Sequence, residues 1–182
     1  GDTTPGSYRS TEVRIAQTAH RPPGPESVPA DMRELVEFMN ESMSPQYHLL
    51  QVAIVHHRFV WIHPFGNGNG RVSRLLTYAM LVKLGFTSAS GYRALNPTVV
   101  FGSDRQAYYE HLSIADSLRD EDIEKWCLYV LHGVASDMKN ILDLSSSAFV
   151  LNELYGPALE KAYDEALLTG KEVAVLLKIA DS

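Results

Sequence analysis

The chain has 182 residues, enough for one domain with a short extension, and 45% of them are hydrophobic, enough to bury a core. A formal net charge of -6 argues against a general nucleic-acid binder, which would normally be basic. No apolar run is long enough to cross a bilayer and no secretory h-region opens the chain. The single cysteine, Cys127, excludes an internal disulfide, so a reducing, cytoplasmic setting is expected.

Residues 1–6 read as a frayed terminus. From Tyr8 to Gln17 the pattern alternates weakly, with Thr11, Val13 and Ile15 on one side and Glu12, Arg14 and Ala16 on the other, as in a short strand or hairpin arm. Arg21-Pro22-Pro23-Gly24-Pro25 cannot be helical and reads as an extended connector. Val28 to about Ser42 is the first expected helix. Pro29 suits its first turn, and Met32, Leu35, Val36 and Met39 form an apolar stripe.

Ser44 is the expected N-cap of a second helix, with Pro45 at its first position. Leu49, Val52, Ala53, Val55, Phe59, Val60 and Ile62 make that helix apolar on more than one face, so it should be central and buried. Pro64 stops it by Ile62 or His63. A third helix should open at Gly70 or Arg71, run to about Lys83 and end at Gly85. Residues 86–102 read as loop, Ser103 as the N-cap of a helix to about Ser117, and Asp120 as the cap of another to about Asn140. Cys127 shares an apolar helical pattern with Ile123, Trp126 and Val130, which marks it as a core thiol rather than a nucleophile. One or two helical pieces should follow Ser145–Ser147, with Gly156-Pro157 as a break. The expected class is all-α with at most one small β-hairpin, divided into a domain over 1–140 and a helical extension over 141–182.

Chemistry concentrates in Ile62-His63-Pro64-Phe65-Gly66-Asn67-Gly68-Asn69-Gly70-Arg71-Val72-Ser73-Arg74. Alternate glycines leading into a helix N-terminus let backbone N–H groups face a concavity, which together with the helix dipole makes an anion site. Arg71 and Arg74, at i and i+3, share a helix face and can both reach the anion, so a polyphosphate is the natural ligand. No Gly-Lys-Ser/Thr follows, so this is not a Walker loop. A helix rather than a strand precedes it, so it is not a Rossmann fingerprint either. His63, on the other lip, can take a proton from an attacking hydroxyl. Phosphoryl or nucleotidyl transfer to a hydroxyl follows from that pairing, and Phe65 reads as the loop's anchor. His56 and His57 face different sides of a helix with no acidic ligand spaced to help, so His56 is expected to brace the loop rather than bind metal.

His63 to Arg74 resembles the signature of the Fic family (the Fic/Doc fold), H-P-F-x-[D/E]-G-N-G-[K/R]-x-x-R. His56, Phe59 and Ile62 stand where that family has H-x-x-F-x-x-I, and Leu75-Leu76 follows as usual. Gly6-x-Tyr8-Arg9 with Val13 and Ile15 resembles its flap hairpin, and Pro22-Pro23 with Val28-Pro29 its connector. Asp104-Arg105 with Tyr108-Tyr109 resembles a later nucleotide-contacting helix, so the likeness covers roughly residues 6–135. The resemblance implies a six-to-eight-helix fold with a β-hairpin flap, and transfer of AMP from ATP, with Mg²⁺, to a Ser, Thr or Tyr hydroxyl of a target protein. It implies His63 as general base, with Gly68, Asn69 and Gly70 around the α- and β-phosphates. Arg71 would grip the phosphates, and Arg74 would hold the γ-phosphate or an inhibitory glutamate. Tyr108, Tyr109 and Asp116 would lie around the nucleoside. The flap residues Val13, Arg14, Ile15 and Ala16 would pair with the target by strand addition.

Two departures bear on this expectation. Asn67 stands at the family's acidic, Mg²⁺-holding position, and an amide oxygen is a neutral, weaker ligand for a hard cation. A nucleotide- or peptide-binding module with little or no turnover, or a Fic-fold transferase using another donor, therefore stay open as alternatives. The nearest string to the family's inhibitory [S/T]-x-x-x-E-[G/N] helix is Ser117-x-x-x-Glu121-Asp122, which has the wrong last residue and lies inside the domain. An inhibitory helix or antitoxin is thus expected outside this chain, and neither a membrane nor a nucleic acid is expected as a partner.

Overall fold

The computed structural model describes residues 6–15, 18–86, 97–102, 104–145 and 150–180. Its helices are α1 (Val28–Asn40), α2 (His48–Ile62), α3 (Asn69–Lys83), α4 (Pro97–Gly102), α5 (Arg105–Ala115), α6 (Asp120–Ser145), α7 (Gly156–Asp164) and α8 (Gly170–Ala180). A 3₁₀ turn, Pro45–Tyr47, precedes α2, and a π-helical turn, Val150–Tyr155, precedes α7. The chain forms two compact units, 1–135 and 136–182. Among the described residues no helix is long and apolar enough to cross a membrane.

In the first unit α2 packs against α1 on one side and α3 on the other. Its apolar residues Val52, Ala53, Val55, Phe59 and Ile62 are all buried, as the absence of a single polar face requires. Val28, Met32 and Leu35 of α1, Met80 and Leu81 of α3, Leu112 of α5 and Trp126, Val130 and Val134 of α6 are buried as well. The Trp126 indole N–H donates to the Ala53 carbonyl at 2.7 Å, which ties α6 to the middle of α2. Gln51, buried in α2, donates its amide to Phe38 O at 2.7 Å and Glu41 O at 3.3 Å and so closes the open carbonyl end of α1. Cys127 is buried and its thiol is pushed up to about 11 by burial, as befits a core residue.

Several expectations change in detail. Ser44 is extended and its side chain caps nothing. Tyr47 N–H bonds Ser44 O in a 3₁₀ turn, and α2 proper starts at His48. Residues 97–102 are helical rather than loop, because a proline suits a first turn and six residues are too few to show a period. Val100 and Phe101 of α4 are buried. A Cβ on Gly133 of α6 would lie 2.8 Å from Val100 Cγ1, so the glycine inside α6 is what lets α4 approach. Ser103 lies outside the described residues. The cap of α5 is Asp104, whose Oδ1 accepts from Ala107 N–H at 2.9 Å. The helix α6 runs past Asn140 to Ser145.

In the second unit Gly156-Pro157 opens α7 instead of breaking the chain, since a first-turn proline loses no helical bond. A capping box at Thr169-x-x-Glu172 starts α8: Thr169 N–H donates to Glu172 Oε2 at 2.8 Å and Glu172 N–H to Thr169 Oγ1 at 3.4 Å.

The expected hairpin is not seen among the described residues, while Ala16 and Gln17 of its arm lie outside them. Among the described residues none is in a strand, and Tyr8 to Ile15 has no regular structure. The backbone N–H of Arg9 is committed to Pro64 O at 2.9 Å rather than to a partner strand. The alternation itself survives in part: Val13 and Ile15 are half-buried, whereas Glu12 and Arg14 are exposed.

Candidate active site

The chain between α2 and α3 is shaped by what Pro64 forbids. Proline disfavours helix at the residue before it and has no N–H to continue the α2 ladder. His63 therefore leaves the helix as its C-cap with φ 52 and ψ 58, in the left-handed region. Its own N–H still bonds Phe59 O at 3.1 Å. Its imidazole Nδ1 lies 3.2 Å from Val60 O, and since a carbonyl only accepts, Nδ1 carries the proton and Nε2 the lone pair. Burial holds the imidazole below the ordinary histidine value, with the charges of Arg9 and His20 acting the same way and the Val60 bond opposing them. At neutral pH His63 is thus a neutral imidazole with an open acceptor nitrogen.

The remaining carbonyls of this turn are met one by one. His20 Nε2 lies 2.9 Å from Trp61 O, its ring 5.3 Å from the Trp61 ring. Arg9 donates to Ile62 O at 3.3 Å and His63 O at 2.9 Å through its guanidinium, and to Pro64 O through its backbone N–H. Asn69, buried as the first residue of α3, clamps Phe65 from both ends: its Oδ1 accepts Phe65 N–H at 2.9 Å and its Nδ2 donates to Phe65 O at 2.8 Å. The Phe65 ring sits 6.2 Å from Phe59 and 6.0 Å from Tyr8. The anchor expected at Phe65 is real, and the side chain of Asn69 is spent on holding it.

The α3 side of the loop is different. Gly68 is the N-cap, with φ 82, and no side chain caps the helix. The first N–H groups of α3 thus have no intrahelical partner. A Cβ on Gly68 would lie 3.4 Å from Arg71 Nη2, and one on Gly70 3.6 Å from Arg74 Nη1, so both guanidinium groups fold back over these two glycines. Among the described residues neither arginine forms an ion pair. The arrangement is a positive, donor-rich end with nothing anionic on it. Asn67 is exposed and its Oδ1 accepts Gly68 N–H at 2.6 Å. No group of three or more His, Cys, Asp or Glu among the described residues could hold a metal.

Behind the loop a hydrogen-bonded chain links three helices. Tyr108 OH of α5 lies 3.0 Å from His56 Nε2, His56 Nδ1 lies 2.8 Å from Thr77 Oγ1, and Thr77 donates to Ser73 O at 2.9 Å. Because the Thr77 proton goes to Ser73, Thr77 accepts from His56 Nδ1–H, and His56 Nε2 then accepts from Tyr108. Burial pushes His56 down to about 3, and lifts Tyr108 well above the usual tyrosine value. His56 also stacks on Phe101 at 4.1 Å. His56 is therefore a brace, and Thr77 is a member of it that the sequence did not single out. Of the two tyrosines, Tyr108 is buried in this brace while Tyr109 is exposed, with Arg105 5.5 Å above its ring. Asp116, the C-cap of α5, lies 3.3 Å from His57 Nε2. The acidic start of α6 is structural too: Asp122 receives Ser117, Arg119 and Lys125, and the Lys125 bond leads in holding its carboxyl far below the usual range. Val13, Arg14 and Ile15 lie on the irregular segment ahead of the connector.

Residues 1–81 match the Fic/DOC family model. The protein adenylyltransferase Fic of Nematostella vectensis is 35% identical over 112 residues, which cover 61% of this chain and 24% of that protein. The protein adenylyltransferase Fic of Culex quinquefasciatus is 32% identical over 112 residues, covering 61% of this chain and 20% of its own length. The chain thus spans about a quarter or less of the curated relatives it matches. A crystal structure of a Fic family protein from Desulfovibrio desulfuricans G20 is similar with a TM-score of 0.57 and 29% identity, over 74% of this chain and 41% of that one. A Fic domain containing signaling protein from Bacteroides thetaiotaomicron VPI-5482 shares the fold with a TM-score of 0.55 at 24% identity, over 76% of this chain and 53% of that one. The histidine and the uncapped, arginine-flanked helix start lie on one loop of a helical domain. In sequence over residues 1–81, and in fold over about three quarters of the chain, it is similar to Fic family proteins.

Proposed function

We propose that the chain transfers AMP from ATP to a hydroxyl side chain of a target protein, with His63 as general base. The observation that carries this is the His63 ring. Its Nδ1–H is committed to Val60 O, which leaves Nε2 as a proton acceptor across the loop from Arg71 and Arg74, neither of which forms an ion pair among the described residues. In the reaction the target hydroxyl gives its proton to Nε2, its oxygen bonds the α-phosphorus, and the bond to pyrophosphate breaks. Arg71, Arg74 and the N–H groups of Asn69 and Gly70 opening α3 would bear the phosphate charge, with Gly68, whose own N–H is bonded to Asn67 Oδ1, turning the chain beneath it. The exposed Tyr109 ring, rather than the buried Tyr108, is the one of the pair that a nucleoside can meet. Val13 to Ala16 would receive an extended target segment by backbone pairing.

The donors present do not make a protein-held Mg²⁺ site. The side-chain oxygen at the family's metal position is neutral and turned onto Gly68 N–H. The same observation favours a second reading, a nucleotide-binding module with slow turnover. Incubation with α-labelled ATP should label a target or the chain itself, and His63→Ala should abolish the label. Label that persists in His63→Ala excludes His63 as the base. Wild-type protein that binds ATP without transfer, and becomes active as Asn67→Asp, establishes the second reading. Comparing α- with γ-labelled ATP separates AMP transfer from use of another part of the donor.

A further inference from the structure

We infer that Arg9 is the positioning residue for His63: its guanidinium bonds carbonyls on both sides of the histidine and joins that turn to the segment carrying Thr11 and Pro23. The inference rests on the reading of His63 as the base. Left-handed backbone at a non-glycine residue costs of order 1–3 kcal/mol and persists only where the surroundings over-determine it. Here Pro64 supplies no N–H, and Ile62 and His63 present carbonyls that the helix cannot satisfy. A planar fork of five N–H donors can serve several carbonyls at once, and Arg9 does so. Its Nε donates to His63 O at 2.9 Å, one Nη to Ile62 O at 3.3 Å and also to Pro23 O, and the other Nη to Thr11 O at 3.1 Å.

Arg9 is 6% exposed and forms no ion pair among the described residues, so its charge is held by carbonyl dipoles at the negative end of α2. Glu12 and Glu26 act on it from a distance, and burial lowers its value. The groups that act on the His63 ring are Arg9, His20 and the Val60 carbonyl. An extended segment that binds a target would thereby be mechanically tied, through Thr11 O and one arginine, to the group that takes the target's proton.

The test uses Arg9→Lys, which keeps the charge but cannot span these carbonyls, and Arg9→Met, which removes both. In each, kcat for AMP transfer should fall about 10²-fold, the scale of a 1 Å misplacement, with ATP affinity unchanged. The acid limb of the kcat–pH profile should move to higher pH in Arg9→Met and stay in Arg9→Lys. Nitrogen shifts of labelled histidine should show His63 protonated at Nδ1 in wild type and as mixed tautomers in both variants. Wild-type kcat in folded Arg9→Lys overturns the inference. So does a loss of kcat that only follows the unfolded fraction, with the His63 tautomer and titration unchanged. A wild type that transfers no AMP defeats the proposed function and not this inference, which the histidine spectra then decide alone.

Discussion

At the end of α2 every backbone carbonyl from Phe59 to Phe65 is met by a donor from within the chain: His63, His20, Arg9 and Asn69 supply them all. At the start of α3, a few residues later, no side chain caps the helix and two guanidinium groups lie over the glycines without a carboxylate among the described residues. One helix end is finished and the other is left open. The closed end spends polar side chains to hold a strained histidine. The open end leaves its donors uncapped by any side chain.

The sharpest way to break this comparison is at the open end. Arg71→Ala combined with Arg74→Ala should lower transfer by about 10²-fold or more and weaken ATP binding, measured with labelled ATP. Its melting temperature should match wild type, because neither side chain has an ion-pair partner among the described residues. A lower melting temperature with ATP binding intact would show that the open end is already closed by the protein.

At the closed end the cost should fall on stability. Asn69→Ala orphans both the N–H and the carbonyl of Phe65 and should cost about 1–3 kcal/mol in urea denaturation. An unchanged midpoint would mean that water replaces the clamp.

The brace behind the loop should respond to pH. His56 takes a proton near 6.5 when unfolded and only near about 3 when folded. Between those values the unfolded chain binds more protons, so stability falls as pH falls. The slope from this residue is about 1.4 kcal/mol per pH unit once below 6.5. Denaturation at several pH values, with His56→Gln as the control that flattens the slope, measures it. The smallest effect expected is Gly68→Ala, about 1 kcal/mol, since left-handed strain is offset in part by lost entropy of the unfolded chain. There is room for the methyl beside Arg71.

Much of this was legible in the order of residues. Pro64 places the end of α2 to within a residue, and the glycines and arginines after it fall at the uncapped start of α3, because their chemistry is local. The apolar residues of α1 and α3 give their helices for the same reason. What was not legible depends on distant partners. Arg9 reaches carbonyls more than fifty positions away, and Tyr108 meets His56 across 52, so neither role has a signature in its neighbourhood. The pair Tyr108-Tyr109 reads as one feature in sequence, but adjacent residues on a helix face different directions, and only Tyr109 reaches solvent. The hairpin arm alternates as a strand would, yet its first backbone donor finds Pro64 rather than a sister strand. Helix α4 spans six residues, too few to show a period, and the room that Gly133 leaves for Val100 lies more than thirty positions away.

The buried Cys127 has a practical consequence. It is the chain's one cysteine, and burial keeps its thiol protonated at neutral pH. A cysteine introduced at exposed Thr11 or Glu12 would be the one readily alkylated sulfur in the molecule. A spin label or fluorophore could then report from the segment ahead of the connector while ATP, a target peptide or an Arg9 variant is tested, without first stripping the native thiol.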